Sequence, residues 1–380
     1  MKLKRVVIVG AGLFGLTIAE RCSSHGIPVT IFEKREHIGG NAYTFFDQET
    51  GINIHKYGSH IFHTNSEKVW SYVNLFSEFN KYEHKVFSLF QDKYYSMPIN
   101  LLTICNFFGV KLTPSEAKQL INSKTAIHDE IGVTKSLYDK GIQTLGRELF
   151  EAFFGNYTAK QWETPSNQLP ASIINRIPLR FNFDARYFTD KYQGIPVNGY
   201  TPLCEKMIAS DLITVHYGID FFEIKNDFSD NELIVYSGPI DRFFEYSLGR
   251  LNWRTIDLEM ETLDVEDFQG NSVINFPELQ YKFTRIHEFK HLHPERMENQ
   301  DKTVIAREFS RFATEADEPY YPVNTENDRK CFEGYRRMAE LEFPNIIFGG
   351  RLGSYKYLDM HMAIASALTL FENKIKPFVI

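Results

Sequence analysis

The sequence predicts an α/β protein that combines a Rossmann-like parallel sheet with a helical insertion domain and an antiparallel β-sheet domain. Three observations predict this architecture. Residues 1–40 have the pattern strand, glycine-rich turn, helix, strand; residues 114–154 keep helical periodicity; and alternating β-rich stretches follow residue 233. A chain of 380 residues is long enough for two or three packed units with a large shared core.

The N-terminal unit begins with Val6–Val9, a short β-branched run that is typical of a parallel strand buried on both faces. Periodic apolar residues then predict a helix from Leu13 to about Ser24, which ends at the glycine and proline of residues 26–28. The second strand is predicted at Val29–Phe32. This order is the beginning of a nucleotide-binding βαβ unit.

A glycine pattern lies between the first strand and the first helix. Gly10, Gly12 and Gly15 form G-x-G-x-x-G: the first permits the turn, the second lets a pyrophosphate approach the backbone, and the third lets helix and strand pack closely. Unpaired N–H groups at the helix N-terminus favour phosphate. The unit therefore predicts a dinucleotide cofactor, held by these glycines, by Leu13 and Phe14 on the helix, and by Glu33, placed to accept both ribose hydroxyls, with Lys34 beside it.

Two further glycine pairs favour FAD over NAD. Gly39 and Gly40, followed by Asn41, resemble the pattern of amine-oxidase-type flavoproteins, in which this pair passes close to the cofactor. Gly349-Gly350-Arg351 precedes a helix predicted from about Asp359, and these folds direct a late helix N-terminus at the flavin. An NAD-binding Rossmann domain with coincidental glycines remains the alternative.

The remaining pattern predicts three domains, two of them discontinuous. The FAD-binding domain comprises residues 1–80, 195–245 and 330–380, and the antiparallel sheet domain comprises residues 81–99, 171–194 and 246–329. A helical domain spans residues 100–170. Within it, Asn156–Trp162 is predicted to leave a helix and enter a polar loop that ends at Pro165.

Composition argues against several classes of function. A net charge of −7 speaks against nucleic acid as the main partner, because phosphate-backbone binding needs a broad basic surface. The four cysteines are scattered without a C-x-x-C pair, which favours a reducing, cytoplasmic compartment. The uncharged run at residues 6–19 mimics a signal peptide, but its regularly spaced glycines favour a folded element, and no run is long enough for a membrane helix.

Three histidines occur within nine residues in the stretch HKYGSHIFHT, residues 55–64. This density suggests a metal site, but the stretch offers no carboxylate or fourth ligand, so no metal is predicted. The stretch follows the FAD motif, where the chain should pass the isoalloxazine ring. We therefore expect His60 and His63 beside the flavin, with His63 nearer N5 and the sugar, and His55 in a structural role.

Arginines and aromatic residues in the rest of the chain suggest an anionic substrate. Arg176 and Arg285, together with tyrosine hydroxyls such as that of Tyr321, are groups that bind a diphosphate. Tyr157 and Trp162 could stack on a base and a sugar. Each of these residues also has an ordinary structural explanation, so this pattern alone leaves the diphosphate hypothesis open.

The order of the sequence motifs along the chain indicates which kind of nucleotide-binding protein this is. Residues 6–41 are followed by HKYGSHIFHT, YTAKQW, RIPLRF, YQGIPVNGY, VINF, EPYYPVN and GGRLGSYKYLDMH. This ordered set resembles the bacterial UDP-galactopyranose mutase family, and the resemblance runs from residue 6 to about residue 365.

The resemblance implies a role for each of several residues. Arg176 and Arg285 would hold the two phosphates. The other substrate residues would be Tyr187, Tyr321 and Tyr357 on the diphosphate, Phe153 and Tyr157 on the uracil, Trp162 on the mobile loop that closes over the substrate, and Asn275. Arg351, Asp359 and Met360 would lie along the flavin.

The resemblance further implies that UDP-galactopyranose and UDP-galactofuranose are interconverted without net redox change, supplying furanose for surface polysaccharide. FAD would be active when reduced, with its N5 attacking the anomeric carbon while Arg176 and Arg285 stabilise the departing diphosphate. The implied partners are the nucleotide-diphosphate sugar, an external reductant and a second copy of the chain in a homodimer.

Three places depart from the family pattern. His84 stands where asparagine is usual near the sugar, Gly155-Asn156 stands where lysine-glycine or a similar pair is common, and Ser59 replaces an alanine. The sugar is therefore open: UDP-N-acetylgalactopyranose and dTDP-fucopyranose are alternatives, unless His84 lies outside the sugar pocket. Two alternatives belong to other classes of function, an FAD-dependent amine oxidase or desaturase and a non-catalytic nucleotide-sugar binding protein.

Overall fold

The structure is a computed structural model that describes residues 5–126, 136–171, 173, 179–228, 232–296 and 301–378. The strands in these ranges form two large sheets and two small ones. In chain order they are β1 (Val6–Val9), β2 (Val29–Phe32), β3 (Thr44–Phe46), β4 (Asn53–His55), β5 (Phe62–Thr64), β6 (Val86–Phe90), β7 (Lys93–Met97), β8 (Tyr192–Gly194), β9 (Ile213–His216), β10 (Leu233–Tyr236), β11 (Trp253–Leu263), β12 (Val273–Asn275), β13 (Arg285–Glu288), β14 (Thr303–Phe312), β15 (Tyr321–Pro322) and β16 (Ile346–Phe348).

Helices cover both faces of the first sheet and one end of the second. They are α1 (Leu13–Ser24), α2 (Glu67–Val73), α3 (Leu101–Phe108), α4 (Pro114–Ala126), α5 (Leu137–Leu145), α6 (Arg147–Phe150), α7 (Asn156–Trp162), α8 (Tyr200–Met207), α9 (Phe221–Ile224), α10 (Ile240–Phe243), α11 (Glu326–Glu342), α12 (Gly350–Gly353) and α13 (Met360–Leu370). Glu151–Gly155 and Phe371–Ile375 are π-helical turns.

The first sheet is parallel throughout, in the order β16-β10-β1-β2-β9. Alternate residues of its central strand point to opposite faces. Val6 and Ile8 pack into a core with α1, α8 and α13, whereas Val7 packs into a core with α10 and α11. Burial on both faces explains why β1 contains only Val and Ile. The predicted Rossmann-like sheet is confirmed.

The second sheet has the order β15-β11-β14-β13-β12-β6-β7 and is antiparallel except for the pair β12–β6. Its longest pair joins β11 to β14 over ten residues. The predicted antiparallel sheet is confirmed, but the sequence did not single out β11. The outer half of this strand carries Asp257, Glu259 and Glu261 on an exposed surface, so its apolar signal is weak and its pairing with β14 decides its conformation.

The helical insertion, α3 to α7, packs over the β6–β7 end of this sheet. Its helix boundaries follow from local chemistry. Asn100 accepts a hydrogen bond from Thr103 N at the start of α3, and Gly109, with φ of +65°, ends that helix. Ser136 and Asp139 form a capping box at the start of α5. The insertion is therefore present as predicted, while the domain boundaries stay a prediction.

One local prediction is wrong. Asn156–Trp162 does not leave a helix for a polar loop: it is helix α7, which continues directly from the π-helical turn Glu151–Gly155. Asn156 and the preceding glycine are weak helix formers, but the helix is held by the contact of Lys160 with the loop before β13 and by the contact of Glu163 with Arg254 on β11. The helix ends only at Glu163, which has φ of +47°. Among the described residues, no helix is long and apolar enough to cross a membrane.

Candidate active site

The glycine pattern after β1 forms a tight turn beside an open space. Gly10 has φ of +100°, and a Cβ added there would lie 2.2 Å from Ser237 Oγ. At Gly15 a Cβ would lie 2.1 Å from the carbonyl oxygen of Gly10, because α1 and β1 approach each other so closely. At Gly12 a Cβ would meet no atom within 4 Å. The backbone is therefore accessible at the position where a pyrophosphate is expected.

The N-terminus of α1 suits an anion. Gly12 is the N-cap residue, no side chain caps the helix there, and its first turn contains no acidic residue. The first residues, Leu13 and Phe14, are buried. A twelve-residue helix with uncapped N–H groups and its positive dipole end facing open space is a suitable phosphate site.

Glu33 connects the end of β2 to the glycine turn. Its Oε2 accepts a hydrogen bond from Ala11 N at 2.7 Å, and its Oε1 accepts one from Arg35 N at 2.9 Å. Each carboxylate oxygen has a second lone pair, so both remain able to accept a ribose hydroxyl. The neighbouring Lys34 forms a 2.6 Å ion pair with Glu318, which already engages its charge.

The second glycine pair packs directly on the first. Gly39 has φ of +90°, and its N–H donates to Ala11 O at 2.9 Å. A Cβ at Gly40 would lie 3.1 Å from Gly12 Cα. Asn41 accepts a hydrogen bond from Arg35 Nη2 at 3.0 Å. Two segments that the sequence analysis assigned separately to the cofactor are therefore in contact.

The C-terminal glycine pair reaches the same place. A Cβ at Gly349 would lie 2.3 Å from Phe14 Cζ, so this turn packs on the start of α1. Arg351 follows on α12 and donates to Pro319 O at 2.8 Å and to Tyr320 O. Burial lowers the pKa of Arg351 to about 10. Asp359 is the N-cap residue of α13, Met360 begins that helix, and α13 packs against α1.

The histidine stretch contains a turn at Gly58, which has φ of +94°. His55 lies on β4, fully buried, and its Nδ1 accepts the His60 N–H at 3.0 Å. Burial lowers the pKa of His55 well below its usual value, so it is neutral. His60 Nδ1 lies 2.7 Å from Gly58 O, which makes it a donor. The imidazole of His60 also lies in electrostatic range of Arg351 and Glu308.

His63 is held separately, on β5. Its Nδ1 lies 2.9 Å from Asp190 Oδ2, and its ring stacks on Phe188 with centroids 3.7 Å apart. Potential ligand atoms of His63, Asp359 and His361 lie within 4.8 Å of one another. The sequence analysis did not predict this grouping, because its members come from opposite ends of the chain.

Arg285, at the start of β13, is part of a buried chain of polar groups. Its Nε donates to Glu308 Oε1 at 2.8 Å. Glu308 Oε2 lies 3.0 Å from His287 Nε2, and His287 Nδ1 lies 2.8 Å from Ser59 Oγ. Burial raises the pKa of Glu308, but the charge of Arg285 and the bond from His287 lower it more, to about 2. The carboxylate is therefore charged, and His287, whose pKa burial lowers, donates from Nε2 as the neutral form.

Tyrosines surround Arg285. The phenols of Tyr157, Tyr187 and Tyr321 all lie within electrostatic range of its guanidinium. Burial raises the pKa of Tyr157 to about 12. The ring of Tyr321 stacks on that of Tyr357, with centroids 5.8 Å apart. Five of the predicted diphosphate and base residues therefore form one group in the fold.

Tyr321 also joins this group to the predicted flavin residues. Its phenol lies in electrostatic range of Arg285 and Glu308 and also of Arg351 and Asp359. Asn275 pairs with Arg285 across β12 and β13. Burial lowers the pKa of His84 to about 3, with a further contribution from the charge of Arg285, and its Nδ1 lies 2.9 Å from Tyr82 OH. His84 is thus a neutral member of the same group.

The remaining predicted substrate residues make other contacts or lie outside the described ranges. Phe153 is only 3% exposed and packs among Phe90, Tyr95 and Phe107 in the core of the helical insertion. Its contact with uracil stays a prediction. Trp162 ends α7, where its carbonyl oxygen lies 3.4 Å from Arg254 Nη1. Arg176 lies outside the described residues.

The sequence analysis missed Glu308, His287 and Asp190. A signal for Glu308 exists: β14 reads TVIAREFSRF, and in an alternating strand Glu308 shares a face with the apolar residues Val304 and Ala306. No comparable local signal exists for His287 or Asp190.

Comparison with known proteins gives the family. A model of UDP-galactopyranose mutase matches residues 152–357, and a model of NAD(P)-binding Rossmann-like domains matches residues 8–76. A probable UDP-galactopyranose mutase of Klebsiella pneumoniae is 41% identical over 97% of this chain and 94% of that protein. A dTDP-fucopyranose mutase of Escherichia coli is 36% identical over 98% of this chain and 99% of that protein.

Solved structures agree with this fold. A reduced UDP-galactopyranose mutase superimposes with a TM-score of 0.72 at 14% identity, over 99% of this chain and 97% of that chain. The fold and these comparisons define a flavoprotein with a Rossmann-like nucleotide-binding domain. The chain belongs to the UDP-galactopyranose mutase family, and it is an isomerase of that type.

Proposed function

We propose that this protein is a flavin-dependent mutase that interconverts the pyranose and furanose forms of a nucleotide-diphosphate sugar, with UDP-galactose as the first candidate. The observation that carries the proposal is the position of Tyr321. Its phenol lies in electrostatic range both of Arg285 and Glu308 and of Arg351 and Asp359, and its ring stacks on that of Tyr357. A diphosphate held by Arg285 would therefore bring its sugar close to the cofactor.

The cofactor in this proposal is FAD, active in its reduced form. The accessible backbone at Gly12 and the uncapped N-terminus of α1 would hold the pyrophosphate, and Glu33 would accept the ribose hydroxyls. Arg351 and the N-terminus of α13 would lie along the flavin. Reduced FAD supplies a nucleophilic nitrogen for the anomeric carbon.

Arg285 would stabilise the departing diphosphate. Its bond to Glu308 engages Nε and holds the plane of the guanidinium, which directs the two terminal nitrogen atoms to phosphate oxygens. Negative charge grows on these oxygens as the bond to the sugar breaks, so a donor already in position lowers the barrier. Arg176 would hold the second phosphate, and Tyr157, Tyr187, Tyr321 and Tyr357 would supply phenol donors.

His63 would act on the sugar side of the site. Asp190 accepts from Nδ1–H, which leaves Nε2 for a different contact. A ring nitrogen in this position suits a sugar hydroxyl or the flavin edge. His84, which is neutral and buried against the same group, would contribute to the choice of sugar.

A second substrate has specific support. The similarity to the dTDP-fucopyranose mutase covers nearly the whole of both chains, and His84 stands where the family usually has asparagine near the sugar. The two candidates differ in the methyl group of the base, in the 2′-hydroxyl of the nucleoside sugar and in the 6-hydroxyl of the hexose, so the same site could serve either one after small changes. UDP-N-acetylgalactopyranose remains a third candidate.

The test is to incubate the purified, dithionite-reduced protein separately with UDP-galactofuranose, UDP-N-acetylgalactopyranose and dTDP-fucopyranose, and to separate the products by chromatography. We expect at least one of the three nucleotide sugars to give the ring-isomerised product, and we expect this product only when the flavin is reduced. Product from none of them would contradict the mutase assignment. Product with oxidised flavin alone would contradict the reduced-cofactor mechanism, and flavin reduction on adding substrate would indicate an oxidase instead.

The proposal also covers the compartment, the oligomeric state, the electron donor and the use of the product. We expect it to act in the cytoplasm as a homodimer, to receive electrons from an external reductant, and to supply a furanose for surface polysaccharide. Size-exclusion chromatography with light scattering would measure the oligomeric state directly.

A further inference from the structure

Lys160, on helix α7, is surrounded by backbone carbonyl oxygens of a single loop. Its Nζ lies 2.5 Å from Phe276 O and 3.0 Å from each of Glu278 O, Tyr281 O and Phe283 O. An ammonium group has three N–H donors and no acceptor. The four oxygens therefore use its full donor capacity, and all four belong to the backbone of this loop.

The loop joins two residues of the candidate site. Residues 276–284 connect β12, which ends at Asn275, to β13, which begins at Arg285. Asn275 and Arg285 are paired across the two strands, and Phe276 N donates to Thr284 O at 2.9 Å just beyond them. Because the loop ends directly before Arg285, its position affects the position of the Arg285 backbone, from which the guanidinium extends.

The helix brings a third residue of the site. Tyr157 precedes Lys160 by three positions, so the two side chains project from the same face of α7. The phenol of Tyr157 lies in electrostatic range of Arg285. Lys160 therefore contacts the loop that leads into β13, while the phenol of Tyr157 lies near Arg285 at the start of that strand. The helix itself packs against β14, where Ser310 Oγ donates to Gln161 O at 2.8 Å, so Lys160 fixes the loop relative to a helix that is already anchored.

A cation is needed for this arrangement. Burial lowers the pKa of Lys160 to about 8, so the group is mainly charged at neutral pH although it is partly withdrawn from water. An apolar side chain of the same length would leave four converging, partly buried carbonyl oxygens without this donor, and among the described residues only Glu278 O would keep another one, from Tyr281 N. The loop would then lose its attachment to α7.

We propose that Lys160 is a positioning residue that sets the separation between Tyr157 and Arg285, so that the nucleoside and the diphosphate of one ligand bind at the same time. The inference rests on the proposed function, because it assigns Tyr157 to the base and Arg285 to the diphosphate. A ligand that needs both residues should depend on Lys160 strongly, and a ligand that needs mainly one of them should depend on it weakly.

The test compares UDP with UMP, using the FAD-loaded protein and isothermal titration. In Lys160→Met we expect the dissociation constant of UDP to rise at least tenfold and that of UMP to rise less than twofold. Lys160→Gln keeps a donor amide for part of the loop and should give an intermediate value. Lys118→Met, on the exposed face of α4, is the matched control and should leave both constants unchanged.

Chemical rescue separates positioning from loss of structure. Lys160→Cys treated with bromoethylamine regains an ammonium on a chain of lysine length, and wild-type protein treated in the same way controls for its four native cysteines. We expect the treated variant to recover UDP affinity to within about threefold of the treated wild type.

Two results would overturn the proposal: equal losses for UDP and UMP, or full UDP affinity in Lys160→Met. Loss of bound FAD in both Lys160→Met and Lys160→Gln would also overturn it, because it would show that Lys160 serves only the integrity of the fold. Failure of the wild-type protein to bind either nucleotide would instead contradict the proposed function, so the two failures are distinguishable.

Discussion

Arg285 and Glu308, on the neighbouring antiparallel strands β13 and β14, form an ion pair of 2.8 Å between Nε and Oε1. The carboxylate is buried and receives a second bond, from His287 at 3.0 Å. Burying an ion pair costs desolvation free energy, which is offset only when the remaining bonds of both groups are well made. The pair therefore holds an arginine in one orientation, which is what a fixed diphosphate site requires.

Removing the arginine should stop turnover without removing the cofactor. Arg285→Ala is expected to lower kcat by about 10²–10³-fold, the usual effect of losing a preorganised donor to a developing charge. Arg176→Ala is expected to behave similarly. Flavin absorbance and activity would be measured on the same samples, with Arg307→Ala, which removes an exposed partner of Glu261, as the control. Near-normal turnover in the Arg285 variant contradicts this assignment.

Glu308 should contribute a pH-dependent stability. Its pKa of about 2 in the folded protein lies below the usual 4.5. A depressed carboxyl pKa stabilises the fold above the usual value, and that stability is lost as the pH falls from about 4.5 towards 2. The full difference corresponds to about 3 kcal/mol.

Glu308→Gln removes the pH-dependent stability that the carboxylate contributes. Urea unfolding at pH 7 and at pH 3.5 should therefore show a smaller loss of unfolding free energy in the variant than in the wild type. The exposed Glu259→Gln serves as the control. An identical acid loss in Glu308→Gln and in the wild type would be evidence against a strongly depressed pKa.

Two glycines of the cofactor turn should respond differently to the same substitution. Gly12→Ala adds a Cβ into open space, so the apoprotein should keep its melting temperature while FAD occupancy falls. Gly15→Ala places a Cβ 2.1 Å from Gly10 O, so it should lower the melting temperature of the apoprotein itself. Thermal unfolding and bound-flavin content measure the two effects. A fully FAD-loaded Gly12→Ala protein would speak against a pyrophosphate at this position.

His84 should influence the choice of sugar. His84→Asn restores the residue that the family pattern usually has, and we expect it to change the ratio of kcat/KM for UDP-galactose and dTDP-fucose by about tenfold. This is the size of effect that small changes in a sugar pocket produce, about 1–3 kcal/mol. Tyr82→Phe, which removes the hydroxyl 2.9 Å from His84 Nδ1, should shift the same ratio less. An unchanged ratio in His84→Asn would place this residue outside the sugar pocket.

The cofactor half of the site could be predicted from the sequence because its requirements are local. A turn with positive φ, a close helix–strand approach and an uncapped helix start are encoded by neighbouring residues, and Gly10, Gly12 and Gly15 lie within six positions. Gly39-Gly40 and Gly349-Gly350 could be recognised in the sequence, but the sequence did not show where they lie in space. Their packing against Gly12 and Phe14 is a finding of the structure.

The sequence by itself determined the parallel sheet, the glycine turn, the helical insertion and the candidate arginine and tyrosines. The tertiary structure decided that Glu308 and His287 orient Arg285 and that Asp190 holds His63. It also decided that Asn156–Trp162 is a helix, which contacts the loop before β13 through Lys160. The physical reason is the distance along the chain. Backbone conformation depends mainly on adjacent residues, whereas a contact between strands or between a helix and a loop depends on register and packing, which no local pattern records.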